Sequence, residues 1–222
     1  MIYRSRNSGN GYGTVNNMKN FLLTPEEQQV AFDAAWIYRK NSVIQKVMEL
    51  LGQLQQQLAA HAVTGVFAFP EQCLQQGAKI SKGERYKELP YVILDYPRHF
   101  EREAVFAFRT MFWWGHYFSC TLHLAGTVKA AYAPALAAGY AQLAAAGMQV
   151  YRQEDPWQHD FENGNYTAVA ALAPQEWEAL VEQGSFIKLA KPFALEMWEK
   201  VIPEVVACYA TLLRVLQTGI NN

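Results

Sequence analysis

The stretch from residue 89 to 124 is the part of this sequence richest in side chains that could bind a ligand. Arg98 and Arg109 are two of its charged residues, and Arg109 lies between aromatic and apolar neighbours. An arginine buried there needs a partner, because an unpaired charge is costly to bury. The partner is either a protein carboxylate, for which Asp95 is well placed, or the acidic group of a small ligand.

Aromatic residues follow the arginines closely and would cover the apolar body of such a ligand. The predicted ligand-binding residues are Arg98, Arg109, Trp113, Trp114, His116 and Tyr117. The same residue types are enriched at protein–protein interfaces, so a protein partner or a homodimer contact on this surface stays open as an alternative.

Catalysis is the other alternative, with His116 or His159 as the acid or base. The serines lack the Gly-x-Ser-x-Gly arrangement of an esterase nucleophile. No His-x-His or His-Glu-x-x-His spacing occurs, so we expect no metal site. The segment 77–83 begins and ends with glycine but lacks the Gly-Lys-Ser/Thr ending of a phosphate-binding loop. We therefore expect no cofactor.

Composition excludes several classes of protein. The chain has 222 residues and a net charge of −1, which gives no electrostatic footprint for nucleic acid or an anionic membrane surface. The three cysteines, Cys73, Cys120 and Cys208, are far apart and odd in number, which indicates reduced thiols. No targeting segment or membrane-spanning apolar run is visible. These features favour a cytoplasmic protein.

The N-terminal part predicts helices. Residues 1–20 are polar and rich in Gly and Asn, so we expect a disordered or loosely attached arm, followed by a single domain over 21–222. A capping box at Thr24 predicts a helix to about Arg39 that buries Val30, Ala34 and Ile37. After a break at 41–42, a 3.6-residue apolar stripe predicts a second helix.

The middle of the chain predicts the sheet. Residues 90–96 form one strand ended by Pro97, and residues 104–124 form a second extended region with a bulge or turn at Gly115. The alternation places Arg109, Trp113, Tyr117 and His123 on one face. Residues 77–90 are predicted to be a surface loop.

Further elements complete the fold prediction. Residues 148–161 are predicted as one strand that returns after Asn163-Gly164 through residues 166–170. An Ala-rich helix precedes them, and a short helix and a long C-terminal helix follow. The predicted class is α+β, with a mostly antiparallel sheet of about four or five strands covered by N-terminal, middle and C-terminal helices. The expected function is non-catalytic binding of a small, partly apolar, anionic ligand or of a protein partner.

Overall fold

The fold is taken from a computed structural model of the chain, which describes residues 21–70 and 73–218. The chain separates into two compact units, one up to Val43 and one from Ile44 onward. The arm predicted over residues 1–20 lies outside the described residues. The single domain expected over 21–222 stays a prediction.

The first unit begins with the predicted capping box. Thr24 accepts a hydrogen bond from the Glu27 amide and donates its own amide to the Glu27 carboxylate. Helix α1 (Pro25–Phe32) then ends at Asp33, whose carboxylate caps the next helix by accepting from the Ala35 amide at 2.9 Å. The prediction of one helix to Arg39 is therefore wrong.

Helix α2 (Ala34–Ala60) runs through residues 41–42, where the break was expected. Its second half carries the predicted apolar stripe, and this stripe is buried. The predicted burial of Val30, Ala34 and Ile37 is wrong, since all three are exposed. The spacing of apolar residues along α2 does not show that its apolar face is buried in the core only after position 43.

The second unit contains a seven-stranded antiparallel sheet in the order β1-β2-β3-β4-β7-β5-β6. The class is the predicted α+β, but the sheet has more strands than the four or five expected. The strands are β1 (Lys79–Tyr86), β2 (Leu89–Glu101), β3 (Ala104–Trp113), β4 (Tyr117–Ala125), β5 (Gln149–Tyr151), β6 (Tyr166–Ala168) and β7 (Phe186–Ala194).

In the first half of the sheet, two strands differ from the prediction, and the structure answers the question left open at Gly115. Strand β1 occupies the predicted loop 77–90, because an edge strand needs few apolar residues. Strand β2 continues past Pro97, where a register shift between Asp95 and Arg98 accommodates a residue without an amide hydrogen. Gly115, with φ of +74°, lies in a turn between β3 and β4, one of the two predicted outcomes.

The second half of the sheet contains short strands. The predicted strand over 148–161 is wrong beyond Tyr151, because β5 ends there and the chain is irregular until β6. Strand β7 passes through Pro192, where an interruption was expected. Only Leu189 and Ala190 of β7 pair with β5, so Pro192 lies where that side of β7 is not hydrogen-bonded to β5.

Helices cover the face of the sheet that carries the phenylalanines of β3 and β4. The remaining helices are α3 (Ala62–Val66), α4 (Gly126–Ala138), α5 (Tyr140–Ala145), α6 (Pro174–Gln183) and α7 (Val201–Gln217), with 3-10 turns at Val169–Ala171 and Leu195–Lys200. On this face Phe106 meets Tyr132 of α4, and Phe108 meets Tyr209 of α7 with ring centres 5.0 Å apart. Among the described residues, no helix has the length and apolar character needed to cross a membrane.

Candidate functional site

Polar residues of four adjacent strands meet on the other face of the sheet. Asp95 of β2 pairs with Arg109 of β3, which in turn pairs with Thr121 of β4. Two residues further along β4, His123 pairs with Lys188 of β7. Because directly paired residues and alternate residues of a strand share a face, the sheet brings all five side chains together. The predicted face of Arg109, Trp113, Tyr117 and His123 is confirmed by the pairing of β3 with β4.

Arg109 has a protein carboxylate as its partner. Its Nε and one terminal nitrogen donate to the two carboxylate oxygens of Asp95 at 2.7 and 2.9 Å. The pair is therefore bidentate. Because both side chains are largely buried, it is also shielded from water. Of the two partners that the sequence allowed, Asp95 is the one present, and the remaining guanidinium nitrogen faces His159 at 3.0 Å.

His159 is held in its neutral form by burial and by the neighbouring positive charges. Burial lowers its pKa to about 2, and the charges of Arg109 and Lys188 act in the same direction. Since a guanidinium only donates, Nε2 of His159 is the acceptor and the ring proton lies on Nδ1. The only ring nitrogen of His159 that could accept a proton therefore already accepts from Arg109. His159 is thus poorly arranged to take a proton from a substrate.

Lys188 is a second buried cation beside Arg109. Only 1% of the residue is exposed, and its Nζ donates to the backbone carbonyls of Pro156 and Gln158 and lies 4.2 Å from the centre of the Tyr151 ring. Burial, together with the nearby charge of Arg109, lowers the pKa of Lys188 to about 7. Its hydrogen-bond acceptors are neutral carbonyls, and no carboxylate of the described residues is bonded directly to this amino group.

A small, partly enclosed cavity lies between these residues. Its volume is about 10 Å³, which is roughly the space of one water molecule. The lining residues are Phe100, Ala107, Arg109, Thr121, His123, His159 and Lys188. The Nε2 atom of His123 is buried and has no hydrogen-bond partner among the described residues, and burial lowers the pKa of this imidazole to about 3. The cavity, which we call the Arg109–Lys188 cavity, thus combines two cationic groups with an unpartnered ring nitrogen.

The irregular segment 152–165, which we call the strap, covers this cavity. It contributes His159 to the cavity lining, and its Pro156 and Gln158 accept from Lys188. Its Trp157 lies edge-on to His123, with ring centres 6.2 Å apart. The strap therefore covers Lys188 and shields most of Arg109 from solvent.

Three of the predicted ligand-binding residues form an aromatic group next to the cavity. The Trp113 ring stacks on His116 at 3.7 Å and lies edge-on to Tyr117 at 5.6 Å. Tyr86 links this group to the cavity, because its backbone carbonyl accepts from the Trp113 indole and its ring lies 5.8 Å from His159. His116 itself is exposed on the turn between β3 and β4.

Arg98 and Trp114 lie elsewhere. Arg98 donates to the backbone carbonyls of Gly77 and Gln76 at 3.1 and 3.0 Å, and it is not among the residues that line the cavity. The Trp114 ring packs edge-on against Phe112, which belongs to the helix-covered face. The structure thus does not bring the two predicted arginines into one hollow.

The sequence reasoning missed Lys188 and did not assign His123 to the site. A signal for Lys188 was present, because it alternates with Phe186 and Ala190 in an otherwise apolar segment. Its position opposite His123 follows only from the pairing of β4 with β7, two strands far apart in the chain.

Within the described residues no three His, Cys, Asp or Glu side chains are arranged to hold a metal ion. The chain matches no protein-family model, no curated protein and no solved structure with which it was compared.

Proposed function

We propose that the protein is a non-catalytic binder of a small, partly apolar anionic ligand, which it holds in the Arg109–Lys188 cavity. The observation that supports this most strongly is that two basic side chains meet at a buried place where, among the described residues, only Arg109 is bonded to a carboxylate. Arg109 is matched by Asp95, whereas Lys188 has only carbonyl acceptors and His123 keeps an unpartnered Nε2. An anion at this point would accept from the ammonium group and from the imidazole.

The surroundings favour a small organic anion over a protein surface. The strap covers the cavity, so a flat partner has no direct access to the two cations. Phe100 lines the cavity, and Tyr151 lies beneath Lys188, so an apolar group attached to the acid would contact aromatic rings. Arginine and lysine together suit a carboxylate or a phosphate.

Ligand-induced thermal shift of the full chain tests the proposal, with benzoate, phenylacetate, succinate and inorganic phosphate as probes. A ligand at about 100 times its Kd stabilises a protein by about 2.7 kcal/mol, which corresponds to a midpoint shift of about 5–10 °C for a chain of this size. We expect at least one probe to give a concentration-dependent shift, and Lys188→Met to abolish it.

Lys191→Met is the matched control. Lys191 lies three residues along β7 and pairs with Cys120 on the opposite face, so the same substitution removes a lysine without touching the cavity. The shift should persist in this variant. Equal shifts in the two variants, or no shift with any probe in the unaltered protein, would overturn the proposal.

A further inference from the structure

The size of the Arg109–Lys188 cavity requires a moving part. About 10 Å³ accommodates one water molecule but not a carboxylate with an organic body. Strands β2, β3, β4 and β7 form the floor and are joined by ladders of hydrogen bonds, with a register shift in β2 between Asp95 and Arg98. The strap is the cover, so a ligand enters only if the strap moves away.

The strap is built as a separate loop. Its two ends are joined by a hydrogen bond from the Arg152 amide to the Asn165 carbonyl, 2.8 Å long, directly beyond the pairing of β5 with β6. A surface loop of this length with its ends together can move as a unit without disturbing the strands that carry it.

Side chains of the sheet hold the strap in place. The Tyr86 hydroxyl accepts from the His159 and Asp160 amides, and the Tyr117 hydroxyl accepts from the Phe161 amide. Tyr86 in turn donates to the Asp160 carboxylate at 2.8 Å. These bonds can break without separating any strand from its neighbour.

Lys87 adds an ionic contact between the sheet and the strap. It lies in the turn between β1 and β2, and its Nζ contacts Asp160 at 2.9 Å and Glu162 at 3.0 Å, both of them strap residues. The side chain of Asp160 is fully buried, whereas 39% of the Lys87 side chain is exposed. Removal of Lys87 would leave a buried carboxylate without its cation, which weakens the closed position strongly.

We propose that the strap opens to admit the ligand and that the contact of Lys87 with Asp160 and Glu162 controls how often it opens. Opening itself does not depend on the ligand. The role of opening in ligand entry rests on the function proposed above.

Hydrogen exchange of the full chain without ligand, followed by mass spectrometry, tests the opening. We expect Lys87→Met to accelerate exchange of the His159, Asp160 and Phe161 amides by about tenfold or more, which corresponds to about 1.4 kcal/mol or more of lost closing energy. The amides of β3 and β4 should exchange as slowly as before. Salt at about 0.5 M should accelerate the same strap amides in the unaltered protein, because the ion pair is partly exposed.

Lys82→Met provides the matched control, since Lys82 is exposed on β1 of the same hairpin and should leave strap exchange unchanged. Unchanged exchange in Lys87→Met, or equal acceleration in the strap and in β3, would overturn the inference. In the second case the whole fold opens and the strap has no separate motion.

A kinetic measurement with a probe that binds separates this inference from the proposed function. Lys87→Met should raise both the association and the dissociation rate by similar factors, because it lowers the barrier in both directions. If the strap opens as expected and no probe binds, the proposed function fails and the opening remains. If a probe binds with unchanged rates in Lys87→Met, the role of Lys87 fails and the binding remains.

Discussion

At the scale of single residues, the polar face is governed by one carboxylate and two cations. Asp95 uses both oxygens on Arg109, and Lys188 has only backbone carbonyls as acceptors. Because these groups are buried, a group whose partner is removed cannot form a hydrogen bond to water instead. Each partner is therefore important for stability.

Removal of Asp95 alone should destabilise the protein strongly. Asp95→Ala leaves the Arg109 guanidinium buried beside a second cation, and we expect a loss of about 3–5 kcal/mol in the free energy of unfolding. The double variant Asp95→Ala with Arg109→Met should lose clearly less than the sum of the single variants. Urea denaturation of the four proteins measures this coupling, and strictly additive losses would contradict it.

The two buried imidazoles predict a loss of stability in acid. Burial lowers the pKa of His123 to about 3 and that of His159 to about 2, from an ordinary value of 6.5. Between about pH 3 and 6.5 the unfolded chain therefore binds more protons than the folded protein. The free energy of unfolding consequently rises with pH in this range, and acidification lowers it. His123→Phe should make this dependence shallower, as measured by urea denaturation from pH 4.5 to 7.

Thr121→Val is the control for that experiment, because it alters a neighbouring cavity residue without removing an ionisable group. Its pH dependence should match that of the unaltered protein. An unchanged slope in His123→Phe would show that this imidazole is not held neutral.

The sequence predicted part of this residue-level picture. Alternation along one extended segment was sufficient to place Arg109 with Trp113 and Tyr117, and a buried Arg in a strand pointed to Asp95. Lys188 was missed because its partners come from β4 and from the strap, neither of which is a local neighbour in the sequence. Arg98 was misplaced because its guanidinium donates to the backbone carbonyls of Gly77 and Gln76, and composition does not reveal contacts of this kind.

At the scale of elements, polar edges and prolines explain the main errors of prediction. The sequence of β1 predicts a loop because β1 is a polar edge strand. The sequences of β2 and β7 predict interrupted strands because each contains a proline. Local propensity predicts the centre of an element well, but it does not show which side of a strand lacks a hydrogen-bonded neighbour.

Gly126, at the junction of β4 and α4, illustrates a local requirement that can be tested. Its φ is +58°, and a Cβ atom there would lie 2.0 Å from the carbonyl oxygen of Glu103 in the β2–β3 turn. Gly126→Ala should therefore destabilise the protein by about 2 kcal/mol or more, as measured by thermal or urea unfolding.

The matched substitution Gly52→Ala should act in the opposite direction. Gly52 lies inside α2, and nothing lies within 4 Å of the position of its Cβ. Alanine is the better helix former, so we expect a gain of about 0.5–1 kcal/mol. A similar loss in both variants would argue against the steric explanation for Gly126.

At the scale of the whole molecule, the core belongs to the unit that begins at Ile44. Every residue from 21 to 43 is exposed or half-buried, whereas α7 alone buries nine residues. The two units therefore differ sharply in how much apolar surface they bury.

A chain that begins at Ile44 should fold and should lose less than about 1 kcal/mol of stability, or about 2–4 °C in Tm. The reason is that the removed segment contributes no buried side chain among its described residues. Circular dichroism during heating measures the change. Deletion of residues 201–218 is the contrasting control and should abolish cooperative unfolding, and a large loss in the first variant would contradict this expectation.

The strand order has a consequence for synthesis on the ribosome. Strands β1 to β4 are consecutive hairpins and can assemble as soon as they emerge, but β5 reaches the sheet only through β7, which is made last of all the strands. Until about residue 194 has left the exit tunnel, the outer edge of β4 has no neighbour, and the nascent chain presents an incomplete sheet to solvent or to a chaperone.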